Sequence, residues 1–206
     1  MKIIAELCQN HNGDFSILKN MIKAASKAGA SHIKIQHINP EILNYRARHE
    51  EGLVVNNRRF AIKRPYGDEF KRLSKLTLSD QEIREFINIC NDEGVIPLTT
   101  CFSRSDVKKI NDLGFREIKV ASYDCSSYQL IRDLIPYFNH IYVSTGATYD
   151  NEVAYTSSIL KNRGKSFSLL QCTTIYPTPI NLLNLTRMIF LNSLVKDPNE
   201  IGFSDH

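Results

Sequence analysis

Stretches that read as buried strands alternate with stretches that read as amphipathic helices along all 206 residues, and no other feature constrains the fold as much. Apolar, β-branched runs predict strands over 2–7, 32–36, 95–99, 117–120, 141–144, 167–171 and 201–203. Helix-period patterns predict helices between them. The first covers 16–29, with Ile17, Leu18, Met21, Ile22 and Ala25 on one face and Gly29 as its stop. After a long polar stretch over 37–78, relieved by a short helix near 69–75, Ser79 and Glu82 form a capping box, and that helix stops at Gly94. Further helices are expected over 103–113, 126–135, 151–163 and 182–194.

Strands joined to helices by short loops imply a parallel sheet with right-handed crossovers. Seven strands of this kind suit an open doubly wound sheet or a (β/α)8 TIM barrel. The doubly wound option calls for a glycine-rich phosphate turn after the first strand. Here that turn is Cys8-Gln9-Asn10-His11-Asn12-Gly13, with a single glycine. The expected fold is therefore α/β, a TIM barrel in one domain over 1–206, ending after about its seventh strand.

Composition narrows the function. A chain 42% hydrophobic and 23% charged can build a sizeable core. No apolar run nears the ~18 residues of a membrane helix, and Glu6 arrives too early for a signal-peptide core. Cys8, Cys90, Cys101, Cys125 and Cys172 are odd in number and form no CxxC pair. Reduced thiols in a cytoplasmic protein are the expectation, with no membrane partner. The net charge of +4 comes from residues 45–75, where nine Lys/Arg face four Asp/Glu. That local excess suits a small anionic ligand, a subunit contact or a solvated loop better than nucleic acid.

In a parallel barrel the active site gathers at the carboxyl ends of the strands. Those ends carry Glu6; Lys34 and Gln36; Thr99 and Thr100; Lys119 and Ser122; Ser144 and Thr145; Thr173, Thr174 and Tyr176; and Ser204, Asp205 and His206. Lys34 between Ile33 and Ile35, and Lys119 between Ile118 and Val120, would be costly ammonium groups without anionic partners. Each is either a salt bridge to a barrel carboxylate or part of a cradle for a small phosphorylated acid, with hydroxyls from Thr100, Ser122 and Ser144. Glu6 either pairs with a lysine or serves as general acid/base or acceptor for a substrate hydroxyl. His206 is a possible metal ligand, and His11 reads as structural, in a tight turn with Gly13.

The same residues carry a resemblance. Residues 5–14, Ala5-Glu6-Leu7-Cys8-Gln9-Asn10-His11-Asn12-Gly13-Asp14, are similar to the opening of the sialic acid (N-acetylneuraminate) synthases. So are Lys34-Ile35-Gln36, Thr99-Thr100-Cys101-Phe102-Ser103, Ile118-Lys119-Val120-Ala121-Ser122 and Ser144-Thr145-Gly146. The Gln171-Cys172-Thr173-Thr174-Ile175-Tyr176-Pro177-Thr178-Pro179 and Gly202-Phe203-Ser204-Asp205-His206 segments extend the match to the last residue. The resemblance implies a TIM-barrel enzyme that condenses phosphoenolpyruvate with an N-acetylmannosamine-type sugar to a nine-carbon 2-keto acid and phosphate. It implies a divalent metal, Mn2+ or Mg2+, with His206 as one of two histidine ligands. Lys34, Thr100, Lys119, Ser122, Ser144, Thr174 and Ser204 would hold phosphoenolpyruvate, and Glu6, Gln36 and Tyr176 would face the sugar.

Three features depart from the family pattern. Many members carry Asn or Ser where Thr174 stands, and Ala121-Ser122-Tyr123-Asp124 replaces a Gly-Ser-Gly-Glu-like turn. A sugar-side Asn of the long second loop has no clean counterpart, Asn56 and Asn57 being the nearest. The last strand, the second metal histidine and the small C-terminal domain of the homodimeric family are expected beyond residue 206. A fragment of low activity is then the expectation for these residues alone. Other expectations from the same residues are a non-catalytic remnant or partner subunit that keeps the cradle, and a phosphoenolpyruvate aldol-type synthase making a shorter keto acid.

Overall fold

The computed structural model describes residues 1–205, apart from the side chain of Asn199. The strands are β1 (Ile4–Cys8), β2 (His32–Gln36), β3 (Leu53–Val55), β4 (Arg58–Ala61), β5 (Ile96–Thr100), β6 (Glu117–Val120), β7 (His140–Ser144), β8 (Ser166–Cys172) and β9 (Ile201–Ser204). The helices are α1 (Phe15–Lys27), α2 (Ala47–Glu50), α3 (Tyr66–Leu76), α4 (Asp80–Asp92), α5 (Val107–Leu113), α6 (Tyr128–Leu134), α7 (Asp150–Asn162) and α8 (Arg187–Ser193). Seven strands pair in the order β1-β2-β5-β6-β7-β8-β9, and every neighbouring pair is parallel. Strand order follows chain order from one edge to the other, whereas a doubly wound sheet reverses in the middle. This is the wall of a barrel. Among the described residues no helix is long and apolar enough to cross a membrane.

Side chains alternate between the two faces of each strand. On the outer face Ile33, Ile35, Ile118, Val120, Ile141, Val143, Phe167 and Leu169 join Leu18, Ile22, Phe86, Ile110, Ile131 and Leu160 of the helices in one core. The inner face has a small apolar layer of Leu98, Tyr142 and Leu170, with Ile4 against it. The helices are placed by their ends. Asp14 accepts from the N–H groups of Ser16 and Ile17 at the start of α1, and the Ser79–Glu82 capping box starts α4. Gly13 (φ +81°) lies so close to the Lys75 carbonyl at the end of α3 that a Cβ there would collide with it.

The stretch over 37–78 holds more structure than its polarity suggests. Besides α3 it forms α2 and the β3–β4 hairpin. Asn56 and Asn57, both at positive φ, make the two-residue turn between Val55 and Arg58. Asn tolerates that conformation better than any residue except glycine, so Asn-Asn between two short runs was the available signal. The last helix begins at Arg187 rather than near 182. Asn184 has φ +52°, and the carbonyls of Leu182 and Leu183 accept from the side chains of Thr173 and Gln171. The approach to α8 holds a single 3-10 turn, Ile180–Leu182, which those bonds anchor to the end of β8.

Below the inner apolar layer lies a buried polar network. The Tyr142 hydroxyl donates to Glu117 Oε2 at 2.8 Å. His32 Nε2 lies 3.2 Å from the same oxygen, and its Nδ1 lies 2.9 Å from Ser31 Oγ. His140 meets the hydroxyls of Ser166 and Ser168 at 2.7 and 2.9 Å, and burial lowers its pKa to about 4. Burial alone would raise the Glu117 pKa, but the hydrogen bonds from His32 and Tyr142 outweigh it and hold the carboxyl below its ordinary value.

Glu117→Ala is expected to destabilise the protein by about 1–3 kcal/mol in urea unfolding, because it leaves Tyr142 and His32 buried without their acceptor. The Glu117 pKa is depressed in the folded state, so its contribution is fully present above the unfolded carboxyl value. It is lost as pH falls through the folded value. The variant should therefore show a weaker loss of stability in acid than the parent. An equal acid profile would remove Glu117 from that role.

Candidate active site

Above the apolar layer the inner face becomes polar, and the strand register decides which side chains meet. Glu6 stands opposite Lys34, Lys34 opposite Leu98, and Thr100 opposite Lys119. Leu98 and Thr100 are two apart on one strand, so the two lysines sit on neighbouring levels of the same face. Lys34 is 2% exposed and donates to Glu6 Oε2 at 2.7 Å. The second Glu6 oxygen accepts from the Cys8 N–H at 2.9 Å. Glu6 itself is half exposed, at 46%.

Lys119 has no such partner. It donates to Ser144 Oγ at 2.6 Å, and among the described residues it has no carboxylate within ion-pair distance. Burial, and then repulsion from Lys34, push its pKa down to about 8, with Glu6 opposing both. Thr100 and Ser144 are buried beside it, at 3% and 2% exposure. The interior thus holds a two-lysine centre with one half-exposed carboxylate, an electrostatic deficit that a small anion would satisfy.

The remaining expected residues fall into groups. Ser122 lies near this centre, but its oxygen accepts from the Gly146 N–H at 3.2 Å and lies 2.9 Å from Cys172 Sγ. A Cβ on Gly146 would sit 2.6 Å from that sulfur, so glycine keeps the loop packed against β8. Ser204 stands opposite Cys172 in the β8–β9 register. Thr174 is half-buried just beyond β8, and Tyr176 is exposed, its pKa raised by burial of part of the ring and by nearby Cys172, Cys8 and Glu6. Gln36 accepts from Gln9 Nε2 at 2.8 Å. His206, the expected metal ligand, lies outside the described residues. Among the described residues no three His, Cys, Asp or Glu side chains converge to hold a cation, so the described residues alone do not make a metal site. His11 is structural as expected, buried with its Nδ1 accepting from the Gly13 N–H.

Sequence reasoning missed several residues around the mouth. Arg72 grips both oxygens of Glu69 at 2.8 and 2.9 Å and donates to Gln9 Oε1 at 2.8 Å, tying α3 to the Gln9–Gln36 pair. Asn39 donates to the buried Asp106. Gln9, Gln36, Asn39, Glu69 and Arg72 border a cavity of about 550 Å³. The basic excess over 45–75 was the signal, but charge counts do not say which arginines turn inward.

Residues 21–206 match the NeuB family. The chain is 28% identical to the N,N'-diacetyllegionaminic acid synthase of Campylobacter jejuni, a match that covers 99% of the chain and 60% of that protein. It is 30% identical to the pseudaminic acid synthase of the same species, over 99% of the chain and 58% of the relative. The crystal structure of N-acetylneuraminic acid (sialic acid) synthetase from Leptospira borgpetersenii, in complex with citrate, superposes with a TM-score of 0.81 at 25% identity. That superposition covers 99% of the chain and 64% of the Leptospira protein. The chain thus spans a little over half the length of the curated relatives it matches.

The Lys119 environment predicts pH-dependent anion binding. With the Lys119 amine pushed down to about 8, a bound anion would hold it charged, so affinity for an anion of constant charge, such as sulfate, should be flat below pH 8. Above that it should weaken by up to about tenfold per pH unit, with proton uptake on binding. Calorimetry at pH 7 and 9, in buffers of different ionisation enthalpy, measures both, and Lys119→Met should abolish the slope. A pH-independent affinity in the parent contradicts the assignment.

Proposed function

The chain belongs to the NeuB family, and on that premise we propose that it carries the phosphoenolpyruvate-binding barrel of a sialic acid-type synthase. The reaction proposed is condensation of phosphoenolpyruvate with N-acetylmannosamine or a related amino sugar, such as a legionaminic or pseudaminic acid precursor. It yields a nine-carbon 2-keto acid and phosphate for cell-surface carbohydrate, in the cytoplasm. The observation that carries the reading is Lys119, a buried ammonium with a hydroxyl but no described carboxylate beside it, one level from Lys34.

In this reading Lys34 and Lys119 offset part of the roughly three negative charges of phosphoenolpyruvate, while Thr100, Ser122, Ser144, Thr174 and Ser204 donate to its oxygens. The cradle holds the enol carbon C3 toward the sugar aldehyde. C3 forms the new C–C bond, the aldehyde oxygen takes up a proton, water adds at C2, and phosphate leaves with its C–O bond broken. Glu6, half exposed and paired with Lys34, accepts from a sugar hydroxyl or moves the proton in this reading. Gln36 and Tyr176 face the sugar. A divalent cation, Mn2+ or Mg2+, would polarise the aldehyde when bound. Its proposed ligand is His206.

Glu6→Gln keeps the shape and removes the charge and the proton-transfer capacity. In a phosphate-release assay on the full-length protein, kcat should fall by roughly 100-fold or more, with a far smaller change in phosphoenolpyruvate KM. An unaltered kcat would exclude a chemical role for Glu6.

A further inference from the structure

Arg187 opens α8, and its side chain is only 14% exposed. Its Nη1 donates to the Thr145 carbonyl at 2.9 Å, to Thr145 Oγ1 at 3.0 Å and to Gln171 Oε1 at 3.2 Å. Its Nη2 donates to the Thr148 carbonyl at 3.2 Å, and its Nε donates to Asp150 Oδ1 at 2.9 Å. All but the Gln171 oxygen belong to residues 145–150, the turn that leads from Ser144 at the end of β7 into α7. The ion pair with Asp150 would by itself tie α8 to α7. The planar fork goes further and spans two backbone carbonyls that flank Gly146 and Ala147.

That turn needs holding. Ala147 has φ +51°, a left-handed conformation that costs a residue with a Cβ and persists where its surroundings over-determine it. The Arg187 fork fixes the chain on both sides of Ala147. The Thr145 N–H and Oγ1 add to this by donating to the Leu170 carbonyl at 3.0 and 3.1 Å. Thr148 Oγ1 closes the turn, within reach of the Gly146 carbonyl at 2.9 Å and the Ser122 carbonyl at 3.3 Å.

What the turn delivers is one N–H. Gly146 donates to Ser122 Oγ at 3.2 Å in a buried hydrogen bond. A hydroxyl that accepts from an N–H keeps its own proton to donate. The Cys172 sulfur 2.9 Å away is a weaker acceptor than an anionic oxygen. The turn also begins at Ser144, whose Oγ accepts from Lys119 at 2.6 Å. These bonds connect Arg187 to the lysine centre through backbone.

We propose that Arg187 is a positioning residue for anion binding: by bridging the Thr145 and Thr148 carbonyls it sets the Gly146 N–H, which orients the Ser122 hydroxyl for bound phosphoenolpyruvate. The proposal rests on the condensation reading above and adds to it a residue that acts on the ligand only through the turn.

The test is calorimetry with phosphoenolpyruvate on the full-length protein and a double-variant cycle. Ser122→Ala should weaken binding roughly tenfold. Arg187→Lys keeps the charge but not the planar fork, and it should weaken binding about fivefold. The double variant should lose no more than about tenfold, where independent effects would multiply to about 50-fold. Asp150→Asn keeps an acceptor for Nε and removes the ion pair, and its affinity should stay within about twofold of the parent's. A merely structural arginine would lower the fraction of competent sites, read as stoichiometry, and leave the dissociation constant alone. An unchanged constant in Arg187→Lys, multiplying effects in the double variant, or an equal loss in Asp150→Asn overturns the proposal. So does a Ser122→Ala variant that binds like the parent, which would leave the lysine cradle standing. Circular dichroism and cooperative unfolding verify each fold. Should Arg187→Lys not fold, Arg187→Gln replaces it in the cycle; if neither folds, Arg187 is a structural residue and the proposal is overturned. Failure of the parent to bind phosphoenolpyruvate at all would bring down the cradle reading and, with it, this one.

Discussion

Each strand of the sheet has two faces, and the outer one is committed to the helices. Ile33, Ile35, Ile118, Val120, Ile141 and Val143 are buried there, and the pleat sends their neighbours Lys34, Lys119 and Ser144 to the inner face. A single-residue slip of register would exchange the two sets, placing ammonium groups among isoleucines. Packing of the outer face thus fixes the site, and the chemistry inherits its precision from the apolar core.

Within the inner face the arrangement is layered by polarity. The network of Glu117, Tyr142 and His32 is self-satisfied, each group finding its partner within the protein. The centre above the apolar layer is not. Lys34 shares Glu6, while Lys119 has only the Ser144 hydroxyl among its described neighbours. One buried polar layer is complete and the next is short of negative charge, and that contrast is what supports the proposal of an anionic ligand in the second. Function and local instability arise here from the same feature.

The sequence made the architecture legible because the 2.0 and 3.6 residue periods are local. The strand over 32–36 and the one over 117–120 were read to the residue, as was the Ser79–Glu82 cap. The long segment over 37–78 resisted for a physical reason. Its hairpin and α2 bury little apolar surface, so hydrophobic periodicity says almost nothing there. The start of α8 was misjudged because it is set by long-range bonds from Gln171 and Thr173. In the site, Glu6, Lys34 and Lys119 announced themselves as charges inside apolar strands. The tie from Arg72 to Gln9 joins residues 63 apart, and the Ser122–Cys172 contact joins residues 50 apart. No local pattern encodes either.

The central claim is that the charge of Lys119 is kept for a ligand at a cost to stability. Lys119→Met replaces the ammonium by a chain of similar length, so the most direct measurement is thermal unfolding of parent and variant at pH 7, with and without phosphoenolpyruvate. The account predicts that the variant melts at or above the parent's temperature, and that the ligand's stabilising shift, clear in the parent, is nearly abolished. A variant that melts well below the parent yet is stabilised equally by phosphoenolpyruvate would show Lys119 to be a structural group, and the account would be contradicted.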